Sequence, residues 1–184
     1  MTLDQIVPII VIVVLLIAAV MLPGLLIGLV VIGERQVGIV VKKLTLNGKK
    51  LPSGSLVALN GEPGYQADTL SPGWHLWYWS WMYTVIKVPV ITIPQGEIGL
   101  IVAADGASIP PDRILGKVIA CDNFQDVRKF LSNGGEKGRQ MGILTAGTYR
   151  INTALFNVIT AANSQQNGIA PDQMRVYSIQ SDKV

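Results

Sequence analysis

From Ile6 to Ile32 the chain carries no charged residue, and that stretch constrains everything after it. As a helix rising about 1.5 Å per residue it would reach roughly 40 Å, more than the about 30 Å of hydrocarbon in a bilayer. It does not fit a cleaved signal peptide. The start holds Asp4 and no Lys or Arg, and the apolar run exceeds the about 7–15 residues of such a peptide. The stretch reads as an uncleaved anchor over residues 1–33. Pro8 suits a first turn. Pro23 with Gly24 must kink the helix or end it, because proline has no N–H to donate and its ring crowds the preceding turn. A single kinked span is expected, with a re-entrant hairpin as the alternative. Arg35, Lys42, Lys43, Lys49 and Lys50 follow the stretch and no basic residue precedes it. The basic flank places the rest of the chain on the cytoplasmic side of a cell (inner) membrane crossed once.

The later part holds all 15 basic residues and all but one of the 12 acidic ones. That excess is modest and no nucleic-acid reader motif accompanies it, so nucleic acid is not an expected partner. Lys42 and Lys43 lie beside the anchor, where anionic headgroups attract them; a solvated hairpin accounts for them equally well. One cysteine, Cys121, and one histidine, His75, allow no internal disulfide and no zinc site of their own.

After the anchor the chain reads as short strands with turn punctuation, giving an α+β fold: an N-terminal transmembrane helix, then a strand-rich region with one or two short helices. Asn47 and Gly48 between β-branched runs predict a hairpin of strands 36–46 and 49–59. VIKVPVITIP is expected to stay extended to Pro94. EIGLIVAADG, from Glu97, parallels QVGIVVKKL, Gly99 matching Gly38. LTAGTYRI parallels LSPGWHLW, with Gly147 matching Gly73 and Tyr149 matching His75. The offsets are 61 and 74 residues, so the region reads as one unit duplicated with an insertion. The insertion predicts a helix capped by Asp122 with Gln125 in capping-box spacing, an apolar face of Phe124, Val127, Phe130 and Leu131, and a stop at Asn133, Gly134 and Gly135. A weaker helix is predicted from Arg139 to Thr145. The tail from Thr153 fits helix or strand. VYSIQSDKV reads as the lead into a further unit, as in a short form or a fragment. The expected divisions are 1–33, the anchor; 34–95, a first β-rich unit with a Trp-rich strand; and 96–184, a second, related α+β unit.

All four tryptophans and six of the 12 aromatic residues fall between Trp74 and Tyr83. On a strand, Trp77, Trp79, Trp81 and Tyr83 would share one face. That face either covers a helix or second sheet, or sits at the headgroup layer, where an indole finds both apolar and wet surroundings.

Catalytic chemistry is sparse. A Ser-His-acid or Cys-His device would have to use His75, which reads more simply as a half-buried sheet residue with one ring nitrogen bonded. Cys121 at a predicted helix start could have a lowered thiol pKa, or be a small core residue. NGGEKGRQ, residues 133–140, could cradle a phosphate, yet it lacks P-loop spacing and serves equally as a helix stop. No paired carboxylates or metal-ligand cluster stand out, so neither an enzyme nor a cofactor is expected.

LSPGWH after VGIVV, with PGWHLWYWSWMY, IPQGEIGLIVAADG, CDNFQDVRKFL, NGGEKGRQ and TAGTYRIN, resembles the SPFH or band 7 family (stomatin, prohibitin, flotillin, HflK and HflC), in its bacterial flotillin-like, YqiK-like branch. The resemblance runs from about Glu34 to the end. Its motif positions here are Leu70, Pro72, Gly73 and His75, with Gly38 and Gly99 in the strand cores. It implies a membrane-anchored scaffold without catalysis, assembling into rings or cages that organise a membrane patch and its client proteins. The long Ala-, Glu- and Lys-rich coiled coil of that family is not in this sequence. Association would then run through the SPFH part or with longer SPFH paralogues. A membrane-tethered module gripping one protein or lipid headgroup, as monomer or dimer, is the alternative. Trp74, Trp77, Trp79, Trp81 and Tyr83, with Lys42 and Lys43, are the expected membrane-interface residues.

Overall fold

Residues 3–22, 27–45 and 48–176 are described in the computed structural model: an N-terminal helix, then several small, mostly antiparallel sheets. Helix α1 covers Leu3–Leu22. From Ile6 onward it holds only apolar residues, and Ile9 through Ile17 are each 47–62% exposed.

The helix expected across 1–33 is shorter than that. The backbone has left helical geometry by Gly28, at φ +64, and strand β1 (Val30–Ile32) pairs antiparallel with β5 (Gly73–His75). Among the described residues no helix is long and apolar enough to cross a membrane.

β2 (Gln36–Lys42) is central in a four-stranded sheet. Antiparallel β4 (Gly64–Leu70) and β6 (Tyr83–Pro89) flank it, and β3 (Val57–Ala58) lies parallel on the outer edge of β4. The predicted pairing of 36–46 with 49–59 does not form. Pro52 cannot donate to a ladder, Gly54 sits at φ +89, and both edges of β2 are taken by strands from farther along the chain. Asn47 lies outside the described residues.

β8 (Gly99–Ala103) holds the same central place in a three-stranded sheet, between β9 (Gly138–Leu144) and β11 (Phe156–Ile159). β7 (Ile91–Ile93) pairs with β10 (Gly147–Tyr149) as β1 pairs with β5. The likeness extends to detail. Gly38 faces Leu70 and Gly99 faces Leu144, and in each ladder the register then shifts over the next residues. The Gln66 amide donates to the Glu62 and Gly64 carbonyls at 2.8 and 2.9 Å, and the Gln140 amide to those of Glu136 and Gly138 at 2.7 and 2.8 Å. Both central glycines are there for lack of room. A Cβ at Gly38 would lie 2.9 Å from Ile32 and Leu70 atoms, and one at Gly99 2.6 Å from Ile93 Cδ1.

The weak helix predicted from Arg139 to Thr145 is β9, an extended partner of β8. The tail from Thr153 resolves into β11 and two short 3-10 turns, Gln165–Asn167 and Pro171–Met174. Helix α2 covers Val127–Ser132, and its cap is Asp126, whose carboxylate accepts from the Lys129 N–H at 2.9 Å. Asp122, the expected cap, lies upstream in a run with Asn123 and Phe124 at φ 52, 50 and 62. That left-handed run turns Phe124 into the core, where it meets Phe156 edge-on at 5.4 Å. The helix stop is as read, with Asn133 as C-cap and Gly134 at φ +74.

Two cores result. Ile32, Val40 and Leu70 form a small one with Tyr78, Tyr83 and Val85 around it. The larger one contains Phe124, Val127, Phe130, Leu155 and Phe156 and takes in Val57 and Ala67 from the first sheet. Polar ties reinforce that junction: Asp105 accepts from the Leu56 and Val57 N–H groups at 2.7 and 3.1 Å, and Arg128 grips Asp68.

Buried Glu136 accepts two guanidinium bonds from Arg113, at 2.6 and 3.1 Å, and the Lys117 N–H at 2.8 Å. The Arg113 bonds, then the Lys117 N–H, hold its carboxyl below the usual range. A depressed folded value means that the unfolded chain takes up the proton first on acidification. The contribution is therefore complete above the ordinary glutamate pKa of about 4.3 and is lost as the pH falls through the folded value. Urea midpoints from pH 7 to pH 3 are expected to fall more steeply for the native protein than for Glu136→Gln. Parallel curves would show that Glu136 does not contribute in this way.

Candidate functional site

The aromatic stretch is not a strand before Tyr83. Residues 76–82 form a loop between β5 and β6. Trp77 has φ +71, which breaks strand alternation, and the Trp79 carbonyl accepts from the N–H groups of Met82 and Tyr83, closing a turn. Trp77, Trp79, Trp81 and Tyr83 therefore do not line one pleated face.

What places the loop is the chain leaving α1. The Trp77 N–H donates to the Ile27 carbonyl and the Tyr78 N–H to the Gly28 carbonyl, both at 2.9 Å. Gly28 is needed at that crossing, since a Cβ there would stand 2.7 Å from the backbone nitrogens of Tyr78 and Trp79. The β1–β5 ladder continues the attachment, setting Val31 opposite Trp74. The indoles are largely out of the protein: Trp74 is 80%, Trp77 64% and Trp81 54% exposed. Trp79 is half-buried, stacked on Trp81 at 6.3 Å and edge-on to Trp77 at 5.7 Å. Tyr83 packs on Tyr78 at 5.4 Å.

The two lysines part company. The Lys43 ammonium donates to the Ser80 carbonyl at 2.8 Å and joins the loop, whereas Lys42 turns to the Gly61 carbonyl, also at 2.8 Å. Tyr78, Ser80 and the Ile27–Gly28 crossing complete the site and were not singled out in the sequence. The one available signal was Gly28 within an apolar run.

The motif residues are architectural. Leu70 and Gly38 belong to the first core, and Gly73 sits at φ +131 as β5 begins. Pro72 is half-buried just before it. A ring nitrogen of His75, Nε2, meets the Ser71 carbonyl at 2.7 Å. At the place of His75 in the second sheet set, Tyr149 makes the same span by donating its hydroxyl to the Thr145 carbonyl at 3.0 Å. This is a turn-closing role that either ring can fill. Beside the loop lies a recess of about 320 Å³ walled by Trp77, Tyr78 and Tyr83, with Val40, Gln66 and Asp68 at its floor and edge. Burial pushes the Tyr78 hydroxyl pKa up, with Tyr83 and Asp68 adding to it.

Of the remaining chemical candidates, Cys121 is enclosed and NGGEKGRQ has its backbone donors engaged. Cys121 is buried, 1% exposed, and is not at a helix start; burial raises its thiol pKa. In NGGEKGRQ the N–H groups of Asn133, Gly134, Gly135 and Lys137 go to the carbonyls of Lys129, Leu131, Phe130 and Ala107, leaving none of these to face an anion. Among the described residues no group of three or more His, Cys, Asp or Glu is placed to hold a metal ion. Comparison with family models finds no match, and comparison with characterised proteins and solved structures finds none either.

Proposed function

We propose that the chain is a membrane-anchored scaffold of the SPFH, flotillin-like kind: α1 sits in the bilayer, the sheets lie against its cytoplasmic face, and copies of the chain, or longer paralogues with it, assemble to organise a membrane patch and its proteins. The two sheet sets are then copies of one unit. The observation that carries the reading is the pair of hydrogen bonds from Trp77 and Tyr78 to Ile27 and Gly28. Ile27 follows Leu22 by five residues, so the aromatic loop is held within about 17 Å of the helix end, the reach of an extended chain. A helix whose described side chains, from Ile6 to Ala19, are apolar on every side and largely exposed is stable in hydrocarbon, not in water. Trp74 and Trp81, with Lys43 beside the loop, have the mix of apolar body, N–H and positive charge that the headgroup layer favours.

The four tryptophans make the test direct, because intrinsic emission comes from this stretch alone. In vesicles of the full chain, emission is expected to shift to the blue and to be quenched several-fold more by lipids brominated near the headgroup than by a water-soluble quencher. Water-like emission, untouched by brominated lipid, would sink the seating of the loop in the bilayer. The recess beside Trp77 also supports a second reading, a tethered module binding a single partner. Cross-linked particles in mild detergent separate the two: the scaffold gives a large homo-oligomer and the module a monomer or dimer.

A further inference from the structure

We infer that the recess beside Trp77 takes the quaternary ammonium group of a zwitterionic phospholipid headgroup, so that the aromatic loop holds one lipid head at the base of the anchor; this rests on α1 lying in the bilayer, as proposed above. The recess encloses about 320 Å³. Trp77, Tyr78 and Tyr83 wall it, the Asp68 carboxylate stands at its edge, and no lysine or arginine is among its lining residues. Rings around a space with a negative charge nearby attract a cation to their π faces. The outer wall is a strained one. Trp77 has φ +71, where a bulky side chain is rarely found except at functional sites, and its indole is 64% exposed. The second sheet set shows that this wall is an addition. His75 and Tyr149 each bond the carbonyl four residues back, and the Trp79 and Asn152 carbonyls each accept from the third and fourth N–H onward. Between those matched ends the first set has one residue more, and the extra length falls where Trp77 turns out.

The size and sign of the occupant follow from the same comparison. In the second set the chain fills the matching corner itself: the Phe124 ring lies over Gly142, where a Cβ would come 2.9 Å from it, and meets Phe156 edge-on at 5.4 Å. The ladder registers make Asp68 the counterpart of Gly142 and Tyr83 that of Phe156. Both border the recess. The corner therefore accepts a group of about the bulk of a phenyl ring, and Asp68 in place of Gly142 favours a positive one. Its charge reaches the recess, since Asp68 adds to burial and Tyr83 in raising the Tyr78 hydroxyl pKa. Arg128 engages both Asp68 oxygens from outside the recess, and the Gln66 amide N–H groups go to the Glu62 and Gly64 carbonyls. A primary ammonium would bring three donors to a space with few free acceptors. A quaternary one brings none, needs only rings and a nearby negative charge, and is close in bulk to a phenyl ring. A lipid is the source because the Trp77 N–H is fastened to the Ile27 carbonyl at 2.9 Å, which puts the wall of the recess beside the chain leaving α1, at the depth of the headgroups.

The test is equilibrium dialysis of labelled phosphocholine against the full chain in a sugar-headed detergent, which offers no ammonium group of its own. Saturable binding is expected, with weaker binding of the uncharged isostere that has carbon in place of the nitrogen. Trp77→Ala, at an exposed position, is expected to weaken phosphocholine binding about 2- to 30-fold, the range for losing one cation–π contact. Asp68→Asn is expected to weaken phosphocholine and spare the isostere, a split that mere loosening of the fold would not give. Ile86→Ala, outside the recess lining, is expected to change neither. Absence of saturable binding, or equal binding of phosphocholine and isostere, overturns the cation site. Lipid nanodiscs, open on both faces, test the source: with choline lipid the recess is already filled and added phosphocholine binds little, whereas with glycerol-headed lipid it binds as in detergent. Equal binding in the two discs overturns the lipid as occupant. The brominated-lipid measurement reports on anchoring separately, so a chain that binds phosphocholine and is untouched by brominated lipid overturns the seating in the bilayer, and the lipid source with it, but not the chemistry of the recess.

Discussion

Phe130→Ala is expected to destabilise the sheet region by about 3–5 kcal/mol, the usual range for truncating a buried phenylalanine that its surroundings cannot collapse onto. The ring is fully buried and sits edge-on to Phe156 at 4.9 Å, with Phe124 tilted against it at 6.1 Å. Collapse is opposed from the other side by Gly135, which lies so close that a Cβ there would come within 2.4 Å of the ring. The backbone is pinned as well, since the Gly135 N–H donates to the Phe130 carbonyl at 2.8 Å. Urea unfolding followed by far-UV circular dichroism checks this, with a lower midpoint and an unchanged slope as the expected result. A loss under about 1 kcal/mol would mean that the cluster relaxes into the hole and is not the rigid junction described here.

The second large effect is at Asp105. Its Oδ2 accepts from Leu56 and Val57, and its Oδ1 from Gly106 at 2.8 Å. Two of these donors belong to the first sheet set, so one carboxylate holds the segment 56–57 against the second. Asp105→Ala leaves three backbone donors without this partner, and for the buried Val57 N–H the loss costs about 1–3 kcal/mol. Asp105→Asn is expected to lose less, because its amide oxygen can replace Oδ2 while its NH₂ then opposes the Gly106 N–H. The order native, Asn, Ala in unfolding midpoint is the expected result. Equal midpoints for Asn and Ala would show that charge, not the two accepted bonds, makes the tie. Amide hydrogen exchange adds a local readout: Leu56 and Val57 should exchange much faster in Asp105→Ala than in the native protein.

Local chemistry was legible and long-range pairing was not. Gly38 and Gly99 marked the central strands because crowding there excludes any side chain. Asn133 with Gly134 marked the end of α2, since a left-handed stop is written in the residues that make it. The start of α2 was misread because Asp122 and Asp126 both offer a cap. The choice fell to Phe124, whose ring must reach Phe156, and no window of a few residues contains that requirement. Asn47 and Gly48 promised a hairpin on local grounds, but β4 and β6 occupy both edges of β2. Gly138 and Gly142 argue against helix in 139–145, and pairing with β8 settles the segment as strand. At the aromatic loop, composition marked the place; the positive φ of Trp77 and the crossing at Gly28 set its shape.

That crossing has a mechanical consequence. The only route from α1 into the sheets runs through Ile27 and Gly28, and there the backbone is fastened to Trp77 and Tyr78 and then, over three residue pairs, to β5. A pull on the helix arrives first at this short fastening. The five residue places it involves are the first to part under load, and the β2 ladders behind them stay slack until they do. The aromatic loop is thus the collar through which a load on α1 enters the sheets.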